Sequence, residues 1–455
     1  MTSLTPLRTP DARSAELMTR RGWWLVGMNV LIPGSAQILA GSRRLGRFGL
    51  AATLLLWLLV VAGVVAYFVT PRFLFSVVTM GLPLVLLQVL LVAYAVLWVV
   101  LTIDTLRLAR LVRARPSARP LLAGASVVLL VLTAGTAGYA AYLTGVQAGL
   151  VGGIFATGPT ADPVDGRYNI LLLGGDAGAD REGLRPDSIT VVSVEAATGR
   201  ATMIGLPRNL EDVPFSDGSP MQALYPDGYR RCNVDVCLLN SIYTEVELYS
   251  PDLYPDATDQ HSEPGIEAMR DAAEGVTGLT IQYYALIDMQ GFSDMIDALG
   301  GVTIDVKDRV AMGAGHDENN NPVPITAWIE PGVQTLDGFH ALWYARSRYN
   351  TSDYARMERQ REVQQAILKQ FSPLNVLTKF QAVADAGSQV VKTDIPQSML
   401  GYFAQLALKA RDEPVADLEI VPPLIDPAAP DFDVIHSAVA DATAPGGRAG
   451  SAATD

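Results

Sequence analysis

Cysteine is nearly missing from this chain: Cys232 and Cys237 are the only two in 455 residues. Zinc usually takes four Cys or His ligands, and no second pair stands beside these, so a disulfide is the favoured reading and a pair of reduced core thiols the alternative. Lysine is absent from residues 1–143, where thirteen arginines meet three acids, a balance of +10. The whole chain carries −13, so residues 144–455 hold −23. So acidic a region is poorly made for the many phosphate contacts of nucleic-acid binding, and no nucleic acid is expected as a partner. A phosphate-cradling Gly-x-x-x-x-Gly-Lys loop, a His-Glu-x-x-His pair and a Gly-x-Ser-x-Gly elbow are all lacking. Nucleotide hydrolysis, zinc proteolysis and serine hydrolysis therefore have no support.

What is present in quantity is apolar sequence, 49% of the chain. Residues 1–21 read as a polar cytoplasmic tail, and residues 22–145 as a membrane region. Stretches 48–69, 73–103 and 121–143 are each long enough to span a bilayer. Stretch 23–40 is broken by Pro33-Gly34 and reads as a re-entrant or fourth segment. Two loops are rich in arginine, Gly41–Arg47 and the one holding Arg107, Arg110, Arg113, Arg115 and Arg119. Cytoplasmic loops favour such residues, which places the acidic half outside the cell membrane, behind a multi-pass anchor and a Gly/Pro/Asp-rich linker over 146–166.

In the acidic half, Tyr168–Leu173 is a continuous apolar run of the kind buried on both sheet faces, and it ends in Gly174-Gly175-Asp176. Arg185-Pro-Asp187-Ser188 precedes a hairpin whose second strand runs into Pro207-Arg208-Asn209. Further strands are expected at 283–287, 302–306 and 418–421, and helices at 265–275, 291–299, 372–390 and 398–411. Residues 437–455 read as a disordered tail.

Five arginines then crowd into Ala341–Glu362: Arg346, Arg348, Arg356, Arg359 and Arg361. Ser352 can cap a helix starting at Asp353, and Asp353, Arg356 and Gln360 fall on one face of it. Taken alone, the cluster fits ion pairs with Asp353, Glu358 and Glu362 on a solvated surface. Taken with Asp176, Asp187 and Arg208 at strand ends, it fits a diphosphate site better. Carboxylates can hold a hard cation against phosphate oxygens, and fixed arginines can stabilise the charge of phosphoryl transfer. Arg359 and Arg361 are assigned to the solvated face. Leu286, Phe292, Met295, Ile296 and Leu299 could line a channel for a prenyl chain, although such spacing suits ordinary core as well.

The series Asn169–Gly174 with Asp176, Arg185-x-Asp187-Ser188, Pro207-Arg208-Asn209, Leu239–Tyr243, Asp297–Val302, and Leu336–Gln360 with its arginines resembles the LytR-CpsA-Psr family. The resemblance covers most of residues 165–435. It implies a three-layer α/β/α domain over 167–436 with a mixed central β-sheet. It also implies a transferase that moves a glycan polymer from a polyprenyl-diphosphate carrier to a peptidoglycan acceptor in Gram-positive envelopes. By the same resemblance, Asp176 and Asp187 would bind Mg²⁺ or Mn²⁺. Arg185, Arg208, Arg346, Arg348, Arg356 and Gln360 would hold the lipid diphosphate, and Asp353 would orient the arginines. Arg208, Arg346, Arg348, Asp353 and Arg356 are thus the expected catalytic set. Asn209 replaces a usual aspartate, which leaves the general base open between Asp176, Asp187 and a metal-assisted route. A pyrophosphatase using water, or a non-catalytic lipid-diphosphate-binding regulator, would use the same site.

Overall fold

The computed structural model describes residues 10–70, 77, 80–156, 158–176, 185–313, 315–316, 322–370 and 391–444. The chain divides into two compact units, Met1–Gly149 and Leu150–Asp455.

Among the described residues, three helices are long and apolar enough to cross a membrane: Arg43–Val69 and Gly81–Arg113 in the first unit, and Ala118–Ile154, which begins there. A helix satisfies its own backbone, which is what a bilayer interior demands. The expected stretch 73–103 begins among residues outside those described. Stretch 23–40 is split between helices Ala15–Leu31 and Ser35–Ala40. The break follows from Pro33 and from Gly34, whose φ of +91° suits glycine and whose missing side chain leaves room for the Gly46 carbonyl. Gln37, fully buried, donates to Leu101 O at 2.8 Å and to Thr105 Oγ1 at 2.9 Å, so its amide is anchored to the second long helix.

The second unit is α/β. Its central sheet joins β1 (Arg167–Asp176), β2 (Arg185–Glu195), β3 (Ala201–Leu206), β4 (Tyr283–Asp288), β11 (Val391–Thr393) and β12 (Ala416–Glu419) in the order β11-β4-β1-β2-β3-β12. The sheet is mixed: β1 pairs parallel with β4 and antiparallel with β2, while β3 pairs parallel with β12. The β2–β3 hairpin turns at Gly199, φ +83°. Small two-stranded ladders join β5 (Val302–Val306) to β10 (Gly332–Leu336), β6 (Val310–Met312) to β9 (Ala327–Ile329), and β7 (Gly315–His316) to β8 (Pro322–Val323).

Side chains alternate across the strands, so each strand serves both faces. One face, with Leu171, Leu173, Ile189, Val191, Ile204 and Leu206, packs against helices Ile242–Tyr249, Pro264–Thr277 and Phe432–Thr443 as the main core. The other, with Ile170, Leu172, Val192, Val194 and Met203, looks towards helices Asp353–Gln370 and Leu400–Asp412 across a cavity. Helices on both faces make the three layers. Helix Phe432–Thr443 corrects one expectation, because it runs through residues 437–443, which the sequence composition marks as a disordered tail. Its apolar Ile435 and Val439 lie one turn apart and are buried in the core. The helix expected over 372–390 lies outside the described residues. Cys232 and Cys237 are joined by a disulfide, Cα–Cα 5.7 Å, in a loop beside this core.

Candidate active site

The cavity of about 610 Å³ changes character along its length. Its walls are mostly apolar: Ile170 and Leu172 of β1, Val192 and Val194 of β2, Ala285 and Ile287 of β4, and Phe403, Leu406, Ala407 and Ala410. The last four recur at helical spacing, so helix Leu400–Asp412 turns one face inward. Helix Asp353–Gln370 does the same with a graded face. Arg356 and Gln360 come first, followed by Val363, Gln364, Ile367 and Leu368. One helix therefore supplies both the charged end of the cavity and part of its apolar wall.

At the charged end, β2 delivers Asp187 and the residues after β3 deliver Arg208, bonded Nη1 to Oδ1 at 2.5 Å. Ser352 accepts from the Ala355 N–H at 3.2 Å and so starts the helix that carries Asp353 and Arg356. Asp353 then meets three arginines: Arg356 at 3.0 Å, Arg348 at 3.6 Å and Arg208 at 3.8 Å. Arg356 also lies 3.8 Å from Asp187 and is only 2% exposed. Burial is the main force lowering the Arg356 pKa; Asp353 and Asp187 oppose it, and Arg208 and Arg348 push it further down. Arginine stays charged regardless, so the site concentrates fixed positive charge where water is scarce. Arg356 Nε and Asp353 Oδ1 are buried without a hydrogen-bond partner among the described residues. Unsatisfied polar atoms of this kind suit a ligand.

Arg346 and Arg348, both exposed, line the same end, with the Arg346 guanidinium 5.1 Å from the centre of the Trp343 ring. The structure thus brings together Asp187, Arg208, Arg346, Arg348, Asp353, Arg356 and Gln360. It does not bring Arg185 to the cavity; that side chain is exposed at the start of β2. Asp176 ends β1 opposite Arg185, and its side chain lies outside the described residues. Asn209 sits next to Arg208 with a buried Oδ1 lacking a hydrogen-bond partner among the described residues.

Two expectations are corrected. Arg359 and Arg361 do not lie on a solvated face: Arg359 bonds backbone carbonyls of the preceding helix, and Arg361 contacts Glu419 of β12 with its side chain 13% exposed. The channel residues divide as well. Phe292 and Met295 line the cavity, whereas Leu286 and Ile296 belong to packed core and Leu299 is not in the wall. A carboxylate of the wall escaped the sequence reading, along with most of the apolar lining. Asp288 ends β4, directly beside Gly175, and caps the next helix by accepting from Gly291 N at 2.7 Å. The signal was available, since 283–287 is an apolar strand running into a carboxylate.

Among the described residues no group of three or more His, Cys, Asp or Glu side chains could cage a metal. A hard ion that takes one or two protein carboxylates would have Asp187 as its described ligand, whose Oδ1 is bonded to Arg208.

A family model, the LytR_cpsA_psr family, matches residues 157–421, more than half of the chain. This chain belongs to the LytR_cpsA_psr family. Relatives carry different names. The chain is 26% identical over 247 residues to biofilm regulatory protein A of Streptococcus mutans, covering 52% of this chain and 53% of the relative. It is 24% identical over 230 residues to the polyisoprenyl-teichoic acid–peptidoglycan teichoic acid transferase TagU of Halalkalibacterium halodurans, covering 50% and 61%. Among solved structures, Bacillus subtilis TagV matches with a TM-score of 0.41 and 19% identity over 60% of this chain and 96% of that one. The chain spans roughly half to three-fifths of the length of these two named relatives.

Proposed function

We propose that this member of the LytR_cpsA_psr family is a membrane-anchored phosphotransferase that moves a glycan polymer from a polyprenyl-diphosphate carrier to peptidoglycan, with its catalytic unit outside the membrane. The observation that carries this reading is the graded cavity: a prenyl chain fits the apolar wall, and a diphosphate fits the arginine end of the same helix. TagU's name as a teichoic acid transferase acting between a polyisoprenyl carrier and peptidoglycan supports it. Three apolar helices and arginine-rich loops support the anchor.

In this mechanism Arg208, Arg346, Arg348 and Arg356 hold the diphosphate, Gln360 contributes an amide, and Asp353 keeps three guanidinium groups aimed at it. An acceptor hydroxyl oxygen attacks the glycan-proximal phosphorus. The bond from that phosphorus to the bridging oxygen breaks, polyprenyl phosphate leaves, and the hydroxyl proton passes to a base. Arginines fixed in place before the reaction lower the cost of charge developing on the phosphoryl oxygens. Asp187, with Asp176, would hold Mg²⁺ or Mn²⁺, which when bound neutralises diphosphate charge. Asn209 can donate and accept hydrogen bonds but cannot serve as a carboxylate base.

The test is full-length chain in detergent with Mg²⁺, lipid-linked glycan and peptidoglycan. Covalently decorated wall is expected, and Arg346→Ala/Arg348→Ala should lower turnover by at least about a hundredfold. Free glycan phosphate without decorated wall would indicate a pyrophosphatase, and unchanged lipid bound tightly would indicate a binding regulator. Normal turnover in the double variant would overturn the site.

A further inference from the structure

We propose that Arg359 is a positioning residue that sets the Arg346–Arg348 pair; the inference rests on the diphosphate reading above. Those two arginines flank Ser347, where helix Gly338–Arg346 ends with Ser347 N bonded to Trp343 O at 3.0 Å. Both are exposed and loosely held by their own side chains. Arg346 lies over Trp343, and Arg348 comes no nearer to Asp353 than 3.6 Å. Their geometry therefore depends on the backbone between Tyr344 and Ser347. A helix C-terminus leaves its last carbonyls unpaired, so that backbone needs outside partners.

Arg359 supplies them from the neighbouring helix. Its Nε donates to Tyr344 O at 2.8 Å and its Nη2 donates to Ser347 O. One turn further on, Glu362 accepts from the Tyr344 hydroxyl, and the Arg359 guanidinium lies 6.0 Å from the centre of the Tyr344 ring. The two carbonyls bracket Arg346, and that of Ser347 immediately precedes Arg348. Arg359 does not line the cavity, so its planar fork of donors is spent on backbone instead of ligand. Residues that fix the orientation of ligand-binding groups in this way commonly matter nearly as much as the groups they hold. The same helix then performs two tasks. Arg356 and Gln360 face the ligand, and Arg359, three residues on from Arg356, locks the segment bringing the other two arginines to it.

The test uses full-length chain in detergent, with geranylgeranyl diphosphate as the calorimetric probe and thermal melting recorded in parallel. Arg359→Ala should weaken binding by about tenfold or more, and Arg359→Lys should recover part of the loss by meeting one carbonyl. In an Arg346→Ala/Arg348→Ala background, Arg359→Ala should change affinity by less than about twofold, because nothing is left to position. A melting loss alone would leave affinity unchanged in both backgrounds and would overturn the proposal. Equal loss of affinity in both backgrounds would overturn it too, since Arg359 would then act apart from the pair. Should Arg359→Ala fail to fold, Arg359→Lys in the two backgrounds decides by the same comparison. Failure of the unmodified chain to bind the probe would overturn the diphosphate reading and this inference with it.

Discussion

The two faces of the central sheet are built from the same strands and do opposite things. On one, Leu171, Leu173, Val191 and Ile204 interlock with three helices at close packing. On the other, Ile170, Leu172, Val192 and Val194 line the wall of a cavity of about 610 Å³ beneath the arginine helix. A concave, mostly apolar wall with a few convergent polar groups at one end is the usual make-up of a ligand site. The contrast teaches that an apolar strand residue can be kept for its ligand as readily as for its core, and that only the partner layer distinguishes the cases.

Substitutions matched across the sheet sharpen this contrast. Leu171→Ala should destabilise the full-length chain by about 2–5 kcal/mol in thermal or chemical denaturation, since it opens a new hole in packed core. Asp271 tests the packed side through pH. Burial raises its carboxyl to about 6, against hydrogen bonds from Tyr254 and Ser216 that lower it. A carboxyl whose folded value lies above its unfolded value holds its proton more tightly when folded. Its contribution is therefore most favourable at low pH and is lost as pH rises towards about 6, by up to about 3 kcal/mol. Asp271→Asn should melt progressively higher than the unmodified chain as pH climbs from about 4 to about 7; parallel melting curves would contradict the assignment. The smallest expected effect is at Leu172→Ala, next door to Leu171 but on the cavity face. Its stability should fall by less than about 1 kcal/mol while affinity for a prenyl diphosphate drops measurably. A stability loss equal to that of Leu171→Ala would mean that the two faces are not different in kind.

Much of the architecture could be read from the sequence, because continuous apolar runs at 168–173 and 201–206 mark strands buried on both sides. The face shared by Asp353, Arg356 and Gln360 was equally legible from helical spacing. The cavity was not. Phe403, Leu406, Ala407 and Ala410 keep the same periodicity whether they meet a neighbouring helix or an empty space. Arg359 and Arg361 were misplaced for a related reason. Spacing along one helix places them near the arginine face, but what they touch is decided by helix Gly338–Arg346 and strand β12, far away in sequence. Helix Phe432–Thr443 is not marked in the sequence, because its alanines, serine and threonine resemble a flexible tail, although Ile435 and Val439 keep core spacing.

The most direct measurement of the central claim is native mass spectrometry of the full-length chain purified from membranes, alongside Ala407→Trp. Ala407 lines the apolar end of the cavity, well placed for an indole to fill it. The account predicts a co-purifying prenyl diphosphate on the unmodified chain, lost from Ala407→Trp while its melting temperature stays within a few degrees. A lipid retained equally by both proteins would contradict the account.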